Sequence, residues 1–212
     1  MKIDIHVHTK ERSPCGRSSE LEQVRAAVAA GLDAIVFTDH NQRPPADTLA
    51  RLNEDHAPFR IFGGMELTVD DEDLLVLGVR DAFMETERWS YPDLHGFVRE
   101  RGGVLVLAHP FRFHPDIRLP LETFPPDAIE VSSRNTPRDA LDRIVALAQE
   151  LGLVPLSNSD AHAVESLGRH YNVLDRRPRD ERELLGMLRA GQVSCVVPGE
   201  DGTRQVFRRG GG

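Results

Sequence analysis

The sequence predicts an α/β barrel slightly smaller than the common eightfold barrel. Short aliphatic runs alternate along the chain with segments whose apolar residues recur at helical spacing. This alternation is typical of parallel strands connected by helices. The chain has 212 residues, whereas an eightfold barrel typically takes ~250. We therefore predict about seven βα units in one domain over residues 1–200, followed by a flexible tail at 201–212.

Each predicted strand is a short aliphatic run, and each predicted helix is an amphipathic segment. The strands are expected near residues 2–8, 34–39, 60–66, 74–79, 104–109, 127–132 and 153–158. The helices are expected near residues 18–30, 46–54, 92–102, 137–151 and 181–190. The first helix has recognisable ends, because Ser18 or Ser19 is a candidate N-cap and Gly31 is a candidate C-cap.

The charge and cysteine content limit the classes of partner. Lys and Arg number 26 against 34 Asp and Glu, which gives a formal net charge of −8. This balance argues against membrane surfaces and long nucleic acids, but it permits a small phosphorylated substrate next to bound cations. The two cysteines form no disulfide framework, and no apolar run reaches membrane-spanning length. We therefore expect a cytoplasmic protein, and the sequence makes no prediction of its oligomeric state.

The first predicted strand carries different side chains on its two faces. It reads KIDIHVHT at residues 2–9, and successive residues of a strand point to opposite faces. The residues at 3, 5 and 7 form an aliphatic row, whereas the polar row consists of Asp4, His6 and His8. The polar row either faces water or binds a metal, and the first strand by itself leaves both readings open.

Polar side chains also follow the other predicted strands at the points where those strands end. Because the carboxyl ends of parallel strands gather at one rim of a barrel, we expect these side chains to lie close together. They are Asp4, His6, His8, Asp39, His40, Glu66, His109, Glu130, Asp160 and His162. Imidazole and carboxylate groups together are ligands for Zn, Mn and Fe. The sequence therefore predicts a cluster of divalent cations at the rim.

The motifs at these strand ends resemble the PHP (polymerase and histidinol phosphatase) family, in particular its stand-alone phosphoesterases. They read DIHVHT at 4–9, TDH at 38–40, Glu66, AHP at 108–110 and SDAH at 159–162. All of them occur in the family's order between about residues 2 and 175. The resemblance implies a distorted seven-stranded TIM-like barrel with two or three divalent ions, Zn, Mn or Fe, at its mouth.

The resemblance also assigns metal ligands residue by residue. It implies His6, His8, Glu66 and Asp160 for the first ion, Glu66 and His109 for the second, and His40 and His162 for the third. The loop after the first strand offers Cys15 where many relatives place Asp or His, and this thiol is either a zinc ligand or an inert group. The fourth predicted strand supplies no histidine for the second ion, a role for which His95 and His114 are alternatives.

Further residues are predicted to take part in the chemistry. Two cations can supply hydroxide for attack at phosphorus, so no nucleophilic side chain is needed. The predicted catalytic residues are Asp160, His162 and Glu66. Arginine grips phosphate oxygens in pairs, and the expected substrate-binding residues are Arg112, His114 and Arg134. Asp4 and Asp39, next to ligand histidines, are expected to orient them.

Two other functional readings stay open at the level of sequence. An amidohydrolase-type barrel also begins with His-x-His on its first strand, and a non-catalytic PHP module could bind metal for structure or for a partner. The TDH and SDAH motifs and the near-complete ligand set favour a metal-dependent phosphoric ester hydrolase. Its expected substrate is a small phosphate ester, either a phosphomonoester or a nucleotide end.

Overall fold

Ten strands of mixed direction form one curled sheet in the computed structural model, which describes residues 1–199 and 201–210. The strands are β1 (Lys2–Val7), β2 (Ala34–Phe37), β3 (Arg60–Val69), β4 (Glu72–Leu77), β5 (Val104–Leu107), β6 (Ala128–Ser132), β7 (Val154–Ser157), β8 (Tyr171–Leu174), β9 (Val193–Pro198) and β10 (Arg204–Phe207). Neighbouring strands follow the order β10, β9, β8, β1, β2, β3, β4, β5, β6, β7. The protein therefore has an α/β fold whose sheet curls into a nearly closed barrel.

All five predicted helices are present. They are α1 (Glu20–Ala29), α2 (Ala46–Asp55), α3 (Tyr91–Glu100), α4 (Leu141–Glu150) and α5 (Glu181–Arg189). Ser19 caps α1, because its hydroxyl accepts a hydrogen bond from the Glu22 N–H while the Glu22 carboxylate accepts one from the Ser19 N–H. Gly31 follows α1 with a φ of +76°, as expected at a helix C-terminus. Among the described residues, no helix has the length and apolar character needed to cross a membrane.

The seven predicted strands are present, but the seven-unit parallel barrel is corrected to ten strands of mixed direction. β4 runs antiparallel to both of its neighbours, β3 and β5. β8 runs antiparallel to β1 and β9, and β9 runs antiparallel to β10. β8, β9 and β10 are absent from the prediction, because their short runs pair with distant strands rather than repeating the strand–helix alternation.

Part of the predicted tail is a strand. β10 pairs antiparallel with β9, with Arg204 opposite Pro198 and Phe207 opposite Cys195. Phe207 packs against a large hydrophobic cluster, which gives this edge strand an apolar anchor. The tail prediction is therefore corrected for residues 204–207, whereas residues 211–212 lie outside the described residues.

Side-chain amides join β7, one edge of the sheet, to β8. The Asn172 side chain accepts a hydrogen bond from the Ser157 N–H at 2.9 Å and donates one to the Ser157 carbonyl at 2.9 Å. Asn158 Oδ1 accepts one bond from Asn172 at 2.8 Å and a second from the Ile5 N–H at 3.2 Å. A side-chain amide thus supplies the pairing that a strand backbone would otherwise provide. We call Ser157, Asn158 and Asn172 the seam.

The aliphatic residues of β1 lie in two hydrophobic clusters rather than in one row. Ile3 and Ile5 pack with neighbouring strands and α5, whereas Val7 packs with α1 and α2. The pairing of β1 with β2 shifts in register between Asp4 and Val7, which separates Val7 from the other two. All three aliphatic side chains are fully buried, so packing on both sides of the chain fixes the position of β1 and of its two histidines.

Candidate metal centre

Four buried side chains converge at the rim of the barrel, and we call them the central cluster: His6, His8, Glu66 and Asp160. His6 Nε2 lies 3.0 Å from His8 Nε2 and 3.3 Å from Glu66 Oε1. Asp160 Oδ1 lies 3.3 Å from His6 Nε2 and 3.2 Å from His8 Nε2. Glu66 Oε2 lies 3.2 Å from His8 Nε2. The structure therefore brings together the four ligands predicted for the first ion.

The spacing in the central cluster matches a coordination shell better than a hydrogen-bond network. Asp160 Oδ1 is buried and accepts no hydrogen bond from the described residues, although two imidazole nitrogens lie within 3.3 Å. Two atoms bound to one ion at about 2.1 Å lie about 3.0 Å apart in an octahedron and about 3.4 Å apart in a tetrahedron. The observed separations of 3.0–3.3 Å fall in this interval. The residues present therefore fit a divalent ion.

Hydrogen bonds on the outer nitrogens aim both central imidazoles at one point. His6 Nδ1 lies 2.9 Å from Glu130 Oε1, so Nδ1 donates to the carboxylate and Nε2 carries the lone pair that a metal needs. His8 Nδ1 lies 3.2 Å from Ser13 Oγ, which donates to Asp39 at 2.7 Å. Asp39 therefore reaches His8 through Ser13. Glu130 holds His6 directly, a role that the prediction omits, although its position at a strand end is a sequence signal for it.

A second group of ligand atoms, the carboxylate end, consists of Glu66, Asp73 and His109. His109 Nε2 lies 3.2 Å from Glu66 Oε1 and 3.7 Å from Asp73 Oδ2. Asp73 lies near the beginning of β4, which is antiparallel to its neighbours, so the N-terminal end of β4 reaches the rim. The prediction considered only C-terminal strand ends and missed Asp73 for this reason. His95, an alternative for this role, instead bonds the Pro125 carbonyl at 3.0 Å.

A third group of ligand atoms, the thiolate end, consists of Cys15, His40 and His162. One ligand atom from each, together with one from His8, lies within 4.8 Å of the others. His40 Nδ1 is 3.2 Å from Glu66 Oε2, so this end adjoins the central cluster. His162 Nδ1 lies 2.9 Å from the Asp160 carbonyl oxygen. Its Nδ1 therefore donates to the backbone, and its Nε2 carries the lone pair.

Backbone strain accompanies the ligand-bearing loops. His109 has a φ of +24° and Asp160 a φ of +50°, and Asn41, which follows a ligand histidine, has a φ of +56°. Residues with side chains rarely adopt such conformations, which cost of order 1–3 kcal/mol each and cluster at functional sites. Strain at three loops of one rim supports a functional role for that rim.

Opposite charges stabilise the central cluster. Burial lowers the pKa of His6, but the Asp160, Glu66 and Glu130 carboxylates outweigh it and raise that pKa well above its usual value. Burial likewise lowers the pKa of His8, but the nearby Asp160 and Glu66 carboxylates outweigh it and raise that pKa to about 9. Burial raises the pKa of Glu66, but the imidazoles led by His6 outweigh it and hold that pKa well below its usual range. Protons and metal cations therefore compete for the same nitrogens.

The three predicted substrate-binding residues differ in their distance from the cluster. Arg112 Nη1 lies 3.3 Å from His109 Nε2 and 3.9 Å from Asp160 Oδ2. Arg134 is exposed and donates to Ser166 Oγ at 3.1 Å, and Ser166 is not one of the ligand residues. His114 is half-buried in the same loop as Arg112. Only Arg112 of the three therefore contacts the described ligand residues.

Phe113, which the prediction omits, lies at the mouth of the site. Its ring stands edge-on to the His109 ring, with 6.1 Å between the centroids, and 52% of the residue is exposed. The Arg112 guanidinium lies over the same ring at 4.8 Å. The mouth of the site therefore combines a cation with an open aromatic surface.

Asp4 binds backbone groups rather than an imidazole ring. Its Oδ1 accepts hydrogen bonds from the His6 N–H at 3.2 Å and from the Ser159 N–H at 3.1 Å. Burial raises the pKa of Asp4 to about 7, and the hydrogen bonds from Ser159 and His6 oppose that rise. Among the described residues, the expected bond to a ligand imidazole ring is absent. Asp4 instead ties β1 to the loop that carries Asp160.

Comparison with known proteins tests the resemblance that the motifs indicate. Residues 138–193 match a family model described as PHP-associated. A two-domain protein from Bacteroides vulgatus contains a predicted PHP-like metal-dependent phosphoesterase and aligns with a TM-score of 0.68 at 17% identity. That alignment covers 93% of this chain and 64% of the other. The resemblance to the PHP family is confirmed.

Two further solved structures share the fold of this chain. A candidate metal-dependent phosphoesterase from Bifidobacterium adolescentis aligns with a TM-score of 0.62 at 18% identity, over 76% of this chain and 87% of that one. An amidohydrolase from Chromobacterium violaceum, solved with bound sulfate and no metal, aligns with a TM-score of 0.63 at 19% identity, over 90% and 96% of the two chains. At these identities the likeness establishes the fold alone. No curated protein is detectably similar in sequence to this chain.

Proposed function

We propose that the protein is a metal-dependent phosphoesterase that hydrolyses a small phosphate ester, either a phosphomonoester or a nucleotide end. The central cluster carries the proposal, because its imidazole and carboxylate atoms stand at coordination spacing around a buried Asp160 oxygen without a hydrogen bond. The phosphoesterases among the structural neighbours support the same activity. The net charge of −8 supports a small substrate over a long polynucleotide.

The chain's own residues would hold two or three divalent ions, Zn, Mn or Fe, side by side. Glu66 spans the site, because its Oε1 faces His6 and His109 while its Oε2 faces His8 and His40. When bound, such ions polarise a phosphoryl oxygen and make hydroxide available near neutral pH. Glu66, Asp160 and His162 are therefore proposed as catalytic residues through the ions they hold.

Arg112 is proposed to bind the phosphate of the substrate. Its side chain is 33% exposed and lies 3.9 Å from Asp160 Oδ2, so it borders the central cluster and is open to solvent. A guanidinium can grip two phosphate oxygens at once, whereas an amide substrate has no anionic group at the reacting centre. Arg112 therefore favours a phosphoesterase over an amidohydrolase, the second candidate that the Chromobacterium violaceum neighbour supports.

Phe113 is proposed to contact the leaving group of the ester. Its ring borders His109, one of the ligand residues, and its exposed face is flat and apolar. A planar leaving group, such as a nucleoside base or an aryl ring, would stack on this face. An aliphatic leaving group would gain less from the contact.

Phosphate release by the purified full-length protein tests the proposal. The protein is resupplied separately with Mn and with Zn, and it is offered phosphomonoesters, a matched diester and an amide panel. Asp160→Asn removes a carboxylate of the central cluster, and Asp55→Asn removes an exposed carboxylate of α2 as the matched control. We expect release from the unmodified chain and the control but not from Asp160→Asn. Amide hydrolysis without phosphate release would favour the second candidate.

A further inference from the structure

The two ends of the metal centre offer different donor atoms. The thiolate end presents one sulfur and two imidazole nitrogens, from Cys15, His40 and His162, whereas the carboxylate end presents two carboxylates and one imidazole. Sulfur and imidazole together select Zn, whereas carboxylate oxygens suit Mn and other hard ions. The donor chemistry therefore changes from soft to hard across one site.

His8 is not counted among the ligands of the thiolate end, because its Nε2 belongs to the central cluster. His8 Nε2 lies 3.0 Å from His6 Nε2 and 3.2 Å from both Glu66 Oε2 and Asp160 Oδ1. One lone pair binds one ion, so the thiolate end keeps three protein ligands of its own. Three protein ligands with one open position are typical of a catalytic zinc site.

The loop that carries Cys15 is tied to both of the other segments of the thiolate end. Ser13 Oγ accepts a hydrogen bond from the His40 N–H at 3.0 Å, and the Arg17 N–H donates to the His162 carbonyl at 2.7 Å. Gly16 lies so close to Thr9 that an added Cβ would stand 2.4 Å from the Thr9 carbonyl oxygen. The position of Cys15 is therefore set by bonds on both sides of it.

We propose that the centre is selective by position: the thiolate end retains Zn when the solution is changed to excess Mn, whereas the carboxylate end exchanges its ion. This inference rests on the metal binding in the proposed function and adds which ion each end keeps. Zn binds most sites more tightly than Mn. Because the two ends offer different donor atoms, they differ in how strongly they prefer Zn over Mn. The thiolate end prefers Zn strongly, and the carboxylate end prefers it weakly.

Metal counting on the full-length protein tests the inference. The protein is saturated with Zn, dialysed against excess Mn with a mild chelator, and its metals are counted by mass spectrometry. We expect the unmodified protein to retain one more Zn per chain than Cys15→Ser. The control Cys195→Ala alters the other, buried cysteine and keeps the Zn. Asp73→His replaces an oxygen donor with a nitrogen at the carboxylate end and raises the retained Zn by one per chain.

Thiol labelling gives a second readout that needs no activity. Cys15 is exposed and Cys195 is buried, so the chelator-treated native protein presents one reactive thiol to an aromatic disulfide reagent. We expect the retained Zn to protect that thiol and excess Mn alone to leave it reactive. Equal Zn retention by Cys15→Ser, or a Cys15 thiol equally reactive with and without Zn, overturns the inference.

The same preparations separate this inference from the proposed function. Selective Zn retention without phosphate release overturns the phosphoesterase proposal and leaves the positional selectivity standing. Phosphate release without any difference in retention between the native chain and Cys15→Ser overturns the selectivity alone. A chain that binds no divalent metal overturns both.

Discussion

The central cluster and the seam are both buried and polar, yet they differ in how their polar groups are satisfied. In the seam, the Asn172 amide meets the Ser157 N–H, the Ser157 carbonyl and Asn158 Oδ1 at 2.8–2.9 Å. In the central cluster, Asp160 Oδ1 accepts no hydrogen bond from the described residues, although imidazole nitrogens crowd it at 3.2–3.3 Å. Burial by itself therefore does not mark a functional site.

This difference distinguishes buried polar groups that hold the fold from those that are available to a ligand. A satisfied network such as the seam holds the fold, because each donor meets an acceptor and nothing is missing. A crowded group of acceptors with an orphan oxygen needs a cation to offset the cost of burial.

The largest effect is expected from removing the Asp160 carboxylate from the central cluster. Asp160→Ala should lower phosphate release by on the order of 10³-fold or more, because the central cluster loses one of its four ligands, while circular dichroism still reports a folded barrel. The measurement is initial rate with saturating metal. Activity within a few fold of the unmodified chain would show that the central cluster is not the catalytic site.

The seam should respond in the opposite way. Asn172→Ala leaves the buried Ser157 N–H and carbonyl without partners, and each orphaned group costs about 1–3 kcal/mol. Urea denaturation should therefore show a loss of roughly 2–5 kcal/mol in the free energy of unfolding, with metal stoichiometry unchanged. The control Gln205→Ala removes an exposed amide from β10. Equal stability of Asn172→Ala and the control would contradict a structural role for the seam.

Glu130 joins the two regions, and its substitution should affect metal binding more than folding. Its Oε1 lies 2.9 Å from His6 Nδ1 and accepts a bond from Asn158 at 2.8 Å. Glu130→Gln keeps the size of the side chain but weakens the hold on the imidazole, so metal affinity should fall about 10–100-fold. Competition with a chelator measures this loss. Glu150→Gln, on the exposed face of α4, is the matched control and should bind metal unchanged.

The smallest effect is expected at the mouth of the site. Phe113→Ala should lower kcat/KM for an aryl phosphate by roughly 2–10-fold, since an aromatic pair contributes about 0.5–1.5 kcal/mol. Glycerol phosphate, which has no ring, should be hydrolysed at the native rate. Phe83→Ala removes an exposed aromatic residue from the short 3₁₀ helix Ala82–Glu85 and should leave the hydrolysis of both substrates unchanged. An equal loss for both substrates in Phe113→Ala would exclude a stacking role.

The sequence by itself indicated most of the site, for a simple geometric reason. The strand ends after β1, β2, β5 and β7 are local features, and the parallel pairs β1–β2, β2–β3, β5–β6 and β6–β7 carry them to one rim. His6, His8, His40, His109 and Asp160 could therefore be grouped without any coordinates. The helix caps at Ser19 and Gly31 are local as well, because they depend on neighbours within a few residues.

The tertiary structure decided what depends on strand direction and on distant partners. Asp73 reaches the rim only because β4 runs antiparallel to β3 and β5, and strand direction is not encoded in the strand's own residues. Likewise, β8 exists through pairing with β1, which lies about 170 residues earlier in the chain. The hydrogen bond from Arg134 to Ser166 joins two loops that are 32 residues apart in the chain, which no local pattern specifies. Residue type and periodicity determined which groups are available, and long-range pairing determined which of them meet.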